Sequence, residues 1–287
     1  MSYILFAWIA VFFYGLETII SKLTSKYSIG NPWLFNVTWG LFVLILTAPI
    51  AYFNGIHLPT AWGNLLLASF FSALAGIFYV LSIFALDVSV FSPLFNLRTV
   101  FSVILGGLFL AEVLTSNQYL LVFIIVVAAV FVTLDEKFNW RSFFKKPIAI
   151  GITEMLLLSL MSVFVKKTVA DIGYWSTAFW IALIGEVFTF FTLPLFIKDL
   201  KSTRPIKYIG TFLIALVSTF GTLASIKATS VNVSISTVII SLPMSMILVF
   251  IISRFKPELL EKHSLKIYAI RFISAAIMII AALRLST

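Results

Sequence analysis

The chain has 287 residues, of which 61% are hydrophobic and 11% charged, with a mean hydropathy of +1.12 and a formal charge of +9. A soluble domain is about 45–50% apolar and about 25% charged, so a globule of this composition could not cover itself with polar surface, and a soluble enzyme or a disordered chain is excluded. Cysteine is absent, which removes disulfides, thiolate nucleophiles and cysteine metal ligands.

A helix crosses the hydrocarbon core with about 20 mostly apolar residues. Ten such stretches follow in order: 3–24, 32–53, 61–86, 88–110, 117–134, 147–169, 175–197, 206–228, 230–252 and 264–285. Turn-forming residues separate them, among them Gly30-Asn31-Pro32, Asn54-Gly55, Lys146-Pro147 and Arg204-Pro205. The runs are apolar all round rather than alternating, so they are helices and not barrel strands. The first run has no basic leader and no small-residue cleavage site, and Glu17 and Ser21 interrupt its end, so it is expected to stay as a span. The expected fold is an all-α membrane protein. Residues 1–134 form one five-helix repeat, 135–146 a connecting loop, and 147–287 a second repeat.

The repeat rests on matches at an offset of 145. Asp87-Val-Ser-Val-Phe-Ser-Pro-Leu-Phe-Asn-Leu97 aligns with Asn232-Val-Ser-Ile-Ser-Thr-Val-Ile-Ile-Ser-Leu242, so that Ser89 meets Ser234, Ser92 meets Thr237 and Asn96 meets Ser241. Five helices per half is odd, so the second half must insert upside down, the architecture of secondary transporters with a site near the bilayer midplane. Two five-helix halves, each closing on a Glu before its last span (Glu112 and Glu258), resemble the EamA-like branch of the drug/metabolite transporter superfamily. The chain departs from that pattern at Tyr14-Gly15, where a Trp-Gly pair is usual, and at Asn36 and Trp39, where the second helix often begins with Arg. The resemblance implies transport of a small solute, with export the expected direction and with both termini usually inside.

Charge points to the opposite orientation. Fourteen basic residues, from Lys22 and Lys26 through Lys198, Lys201, Arg204 and Lys207 to Lys266, fall on one side, against Lys166, Lys167, Lys227 and Arg284 on the other. The positive-inside rule places the richer side in the cytoplasm and both termini outside the plasma (inner) membrane. The basic charge is then an insertion signal, and no nucleic-acid partner is expected.

Glu17, Arg98, Glu154, Glu186 and Arg271 lie within spans, where a charge costs about 2.5–3.5 kcal/mol on insertion scales. Polar residues at helical spacing accompany them: Tyr14, Glu17, Ser21 on helix 1; Ser69, Ser72, Gly76, Tyr79 on helix 3; Ser89, Ser92, Asn96 on helix 4; Ser218, Thr222, Ser225 on helix 8; Ser234, Thr237, Ser241 on helix 9. Such stripes can serve as helix–helix contacts, but five at matched positions favour a shared cavity. The candidate substrate-binding residues are Tyr14, Glu17, Ser21, Trp39, Tyr79, Ser92, Asn96, Arg98, Glu186, Thr237 and Ser241, with Glu17 the candidate for proton coupling. Arg98 and Asn96 point about 200° apart on a helix of 100° per residue, so only one can face a narrow cavity. Arg98 is read as a clamp for an anionic group or, with a slight preference, as the structural partner of Glu186 or Glu17. Glu154 and Arg271 read as structural, with a homodimer contact as one role. Glu112 and Glu258 read as caps for the helix that follows each.

No P-loop, GxSxG or HExxH motif occurs, and both histidines (His57, His263) lie in loops. No catalytic residue, metal or cofactor is expected. The expected function is secondary transport of a small polar or zwitterionic metabolite, with an amino acid the simplest cargo. An organic cation is the alternative cargo, and a lipid flippase or scramblase the alternative function.

Overall fold

A computed structural model of the protein describes residues 2–86, 88–132, 146–255 and 265–285, and these form α-helices and short 3-10 turns with no strand among them. The helices are α1 (Tyr3–Tyr27), α2 (Pro32–Phe53), α3 (Gly63–Ala85), α4 (Val88–Leu110), α5 (Ser116–Val132), α6 (Lys146–Ile172), α7 (Tyr174–Phe190), α8 (Ile197–Ser202), α9 (Ile209–Thr229), α10 (Val233–Ile240), α11 (Met244–Phe255) and α12 (Leu265–Leu285). Among the described residues, six segments are long and apolar enough to cross a membrane. Residues 135–145 of the expected connecting loop and Glu258 lie outside the described residues, as do the side chains of Ser92 and Arg271.

Two expected spans differ from the observed helices, each at a proline. The stretch expected over 175–197 ends as α7 at Phe190, and a 3-10 turn at Leu193–Leu195 carries Pro194 into the short surface helix α8. The stretch expected over 230–252 is broken into α10 and α11. Pro243 has no N–H and its ring opposes the carbonyl four residues earlier. The Leu242 N–H bonds instead to the Ile239 carbonyl (3.1 Å), and Met246 N–H restarts the ladder on the Pro243 carbonyl (3.1 Å).

Helix ends are closed by side chains. The Asn31 carboxamide oxygen accepts from the N–H groups of Trp33 (2.9 Å) and Leu34 (3.2 Å) at the start of α2, a standard N-cap. At the other end of a helix, Lys22 Nζ donates to the Ile83 (3.0 Å) and Leu86 (2.7 Å) carbonyls at the end of α3, tying α1 to it. This end of the bundle is filled by Leu34, Phe35, Ile83, Phe91 and Phe196, all fully buried.

The packing has a two-fold pattern. α1 packs most extensively on α9 and α3 on α6; α4 packs on α6 and α10–α11 on α1; α3 packs on α7 and α9 on α2; α2 meets α7, α4 meets α10, and α5 meets α12. Exchanging α1, α2, α3, α4 and α5 for α6, α7, α9, α10–α11 and α12 returns the same set of pairings.

Glu112 joins the two sets. It was expected to cap the helix after it; instead it caps α10. Its carboxylate accepts from Val233 N–H (2.9 Å), Ser234 N–H (2.8 Å), Ser234 Oγ (2.8 Å) and Lys166 Nζ (2.6 Å). The cause is local. Ala111 takes a left-handed backbone (φ 53°), and Gly106 leaves room where a Cβ would strike Ser234, so α4 and the start of α10 come close. Burial pushes the Glu112 carboxyl up, but Lys166, the two backbone N–H groups and the Ser234 hydroxyl outweigh it, and the group ionises below its ordinary range. A depressed carboxyl stabilises fully above its unfolded value, about 4.3, and the contribution is lost as pH falls through the lower folded value. Glu112→Ala is expected to lower stability by about 2–3 kcal/mol at pH 7. Thermal unfolding in detergent checks this, and the gap to the wild type should close as pH falls below 4. A gap that does not change with pH would remove the charge from the explanation.

Candidate functional site

A cavity of about 220 Å³ lies in the middle of the bundle, lined from α1, α2, α3, α4, α6, α7 and α9. Its charged walls are Glu17, Glu154, Glu186 and Arg98, at 6%, 0%, 5% and 3% exposure. Glu17 lies ten residues before the end of α1, Arg98 ten after the start of α4 and Glu154 eight after the start of α6, roughly 12–15 Å along each axis at 1.5 Å per residue.

Arg98 does not form the pair expected of it. Its Nη2 donates to Ser162 Oγ on α6 (3.0 Å), and among the described residues no carboxylate stands within salt-bridge distance of it. Its Nε has no partner, nor do Glu17 Oε2, both carboxylate oxygens of Glu154, or Glu186 Oε1. Ser159 braces the same crossing of α4 and α6. It donates to the Arg98 carbonyl (3.1 Å) and accepts from Ser102 Oγ (2.9 Å). The guanidinium is therefore held by the Ser162 hydroxyl of α6 and the Arg98 backbone by Ser159, while Nε is buried without a partner.

Aromatic residues form an adjoining wall. Trp39 Nε1 donates to Ser218 Oγ on α9 (2.9 Å), and its ring lies 5.4 Å from that of Tyr79. The Tyr79 hydroxyl donates to Ser21 Oγ (3.2 Å). Rings fixed in this way beside carboxylates form an environment that attracts a cation. On α7, the Glu186 carboxylate occupies the space beside Gly40 of α2 that a Cβ would take, so a larger residue at 40 would shift it.

Of the residues picked from the sequence, Tyr14, Glu17, Trp39, Tyr79, Arg98 and Glu186 come together on this cavity. Ser21 stands one shell behind, on Tyr79. Asn96 is buried away from the cavity, as its angle to Arg98 requires. Thr237 and Ser241 are buried but do not line it, and Thr237 Oγ1 donates to its own helix at the Val233 carbonyl (2.8 Å). The break at Pro243 lies over α1 at Gly15, where Met244 packs. Trp180 donates to the His57 carbonyl (2.8 Å) and its ring meets that of Trp62 (6.2 Å between centroids).

Glu154 is the main correction. Read as a structural or dimer residue, it faces the cavity fully buried. A signal was present: Glu154, Leu158 and Ser162 recur at steps of four on α6, and all three line the cavity. Asn36, Gly40, Thr189 and Thr222 are among the other lining residues, with Ser72, Ser218 and Ser225.

Residues 1–134 match the profile of the EamA-like transporter family, part of the drug/metabolite transporter superfamily. This half of the chain is EamA-like. The matched family is one of membrane transporters, and the described residues hold six helical segments long and apolar enough to cross a membrane. A crystal structure of a protein 13% identical in sequence shares the fold over 100% of this chain and 99% of its own, with a TM-score of 0.68. Comparison with curated proteins gives no match. The EamA-like half supplies Glu17, Trp39, Tyr79 and Arg98, and the remainder of the chain supplies Glu154, Glu186 and Ser218.

The absence of cysteine permits a direct test of this geometry. Single cysteines at Ser72 and Thr222 are expected to react with a small charged methanethiosulfonate. Cysteines at Thr237 and Ser241 should stay unreactive under the same conditions. Equal reaction at all four positions would contradict the cavity as described.

Proposed function

We propose that this EamA-like protein is a secondary transporter that carries a small zwitterionic metabolite, of the amino-acid class, through the central cavity by alternating access. In this reading the chain spans the membrane ten times as two inverted five-helix repeats, with α10–α11 a single broken span and α8 on the surface. The pairings that survive exchange of the two sets of helices support it. The charge count supports termini outside a plasma (inner) membrane, and the family resemblance supports export.

The observation that carries the proposal is Arg98, buried without a carboxylate partner, in one cavity with Glu17 and Glu154. A guanidinium with free donors suits a carboxylate, and carboxylates beside aromatic rings suit an ammonium. Charges at this depth, near the middle of a hydrocarbon core about 30 Å thick, mark substrate or ion pathways. The volume argues for a small cargo. It falls below the 300–1,000 Å³ of drug-sized sites, which weighs against a phospholipid. Nothing in this arrangement calls for bond-making chemistry, so the protein is read as a transporter and not an enzyme.

The test is thermal unfolding of the purified protein against amino acids, amines, organic acids, nucleosides and sugars. A zwitterion at 100 times its Kd is expected to add about 2.7 kcal/mol of apparent stability, and Arg98→Ala should abolish the gain. Stabilisation by amines alone, undiminished in Arg98→Ala, would overturn the zwitterion in favour of a simple cation. Glu17 is the proposed proton-coupling group. Transport by Glu17→Gln is expected to lose the pH dependence of the wild type, and an unchanged profile would remove Glu17 from coupling.

A further inference from the structure

The cavity holds more negative groups than a neutral zwitterion needs. Three carboxyls face it and one guanidinium, with no lysine among its lining residues. Arg98, Glu17 and Glu154 on α4, α1 and α6 already complement one carboxylate and one ammonium. Glu186 stands elsewhere: it is on α7, whose main neighbours are α2, α3, α6 and α9 and not α1 or α4. It is buried to 5% exposure, its Oε1 has no partner, and its other oxygen rests against the α2 backbone at Gly40. A carboxylate held this way is not serving as a helix–helix ion pair. A desolvated and unpaired charge is costly, and a ligand cation in the same cavity would remove that cost.

We infer that Glu186 and Gly40 form a second cationic subsite, and that the preferred cargo is a zwitterion carrying an additional positive group, the chemistry of a basic amino acid. The carboxylate of the cargo meets Arg98, its α-ammonium meets Glu17 and Glu154, and its distal cation reaches Glu186 across the cavity. The inference rests on the zwitterion reading above and narrows it. Gly40 is part of the subsite because any side chain there displaces the carboxylate.

The experiment compares binding of lysine and norleucine, which share a chain length and differ by the terminal ammonium, to the purified full-length protein. The wild type is expected to bind lysine roughly tenfold or more tightly than norleucine, the scale of one charge-assisted contact. Glu186→Gln should bring the ratio toward one. Gly40→Ala should do the same with the carboxylate still present, which separates a displaced subsite from a lost fold. Norleucine binding as tightly as lysine in the wild type overturns the second subsite and leaves the zwitterion reading standing. A lysine preference that survives both substitutions also overturns it. Binding of neither compound overturns the subsite together with the zwitterion reading beneath it.

Discussion

The cost of placing charge inside hydrocarbon governs this protein. Four ionisable side chains are buried in the helix bundle, and three of them, Glu17, Arg98 and Glu154, lie far from the helix ends, where each charge costs about 2.5–3.5 kcal/mol on insertion scales. Three such costs together are comparable to the whole stability of an ordinary domain. Direct ion pairing does not offset it, because Arg98 is held by a serine and the carboxylates keep unpartnered oxygens. In the proposed reading the arrangement is sustained because all four groups line one cavity, whose opening during transport would bring them water, protons or cargo as partners. The polar centre and the apolar shell are thus two sides of one constraint: helices apolar enough to insert must gather their expensive residues in a common space.

The rest of the fold keeps that space open and its walls aligned. Hydroxyls at the α4–α6 crossing fix Arg98, the Trp39–Ser218 bond fixes the aromatic wall across α2 and α9, and Gly40 lets Glu186 approach. At one end Lys22 ties α1 to α3 over a fully buried aromatic plug. Glu112 closes the start of α10 from the other half of the chain, joined by Lys166. Each contact joins helices from different parts of the sequence, so the cavity is a property of the whole bundle and not of one motif.

Much of this was legible in the sequence because membrane helices announce themselves by length and hydropathy. The stretches over 3–24, 32–53 and 88–110 match α1, α2 and α4 to within a few residues. The failures have physical causes. Pro194 and Pro243 sit inside continuous apolar runs, and hydropathy does not register a missing N–H. The stripe at Ser234, Thr237 and Ser241 resembles a cavity face, yet the Thr237 hydroxyl is satisfied by its own helix. From the sequence Glu154 reads as structural although it shares a face with Ser162, because single-helix periodicity shows which residues align and not which neighbour they face. Glu112 reads as a cap, but which helix it caps depends on the approach of α4 to α10, and no local pattern encodes that.

The central claim is that the buried charges line a path for a small solute. Flux in proteoliposomes tests it most directly, with a labelled amino acid and a fluorescent phospholipid followed in the same vesicles. The account expects the amino acid to exchange across the membrane, Arg98→Ala to abolish that exchange, and the phospholipid to stay in its original leaflet. Rapid movement of the phospholipid between leaflets, without amino-acid flux, would contradict it and make the polar cavity a route for lipid headgroups.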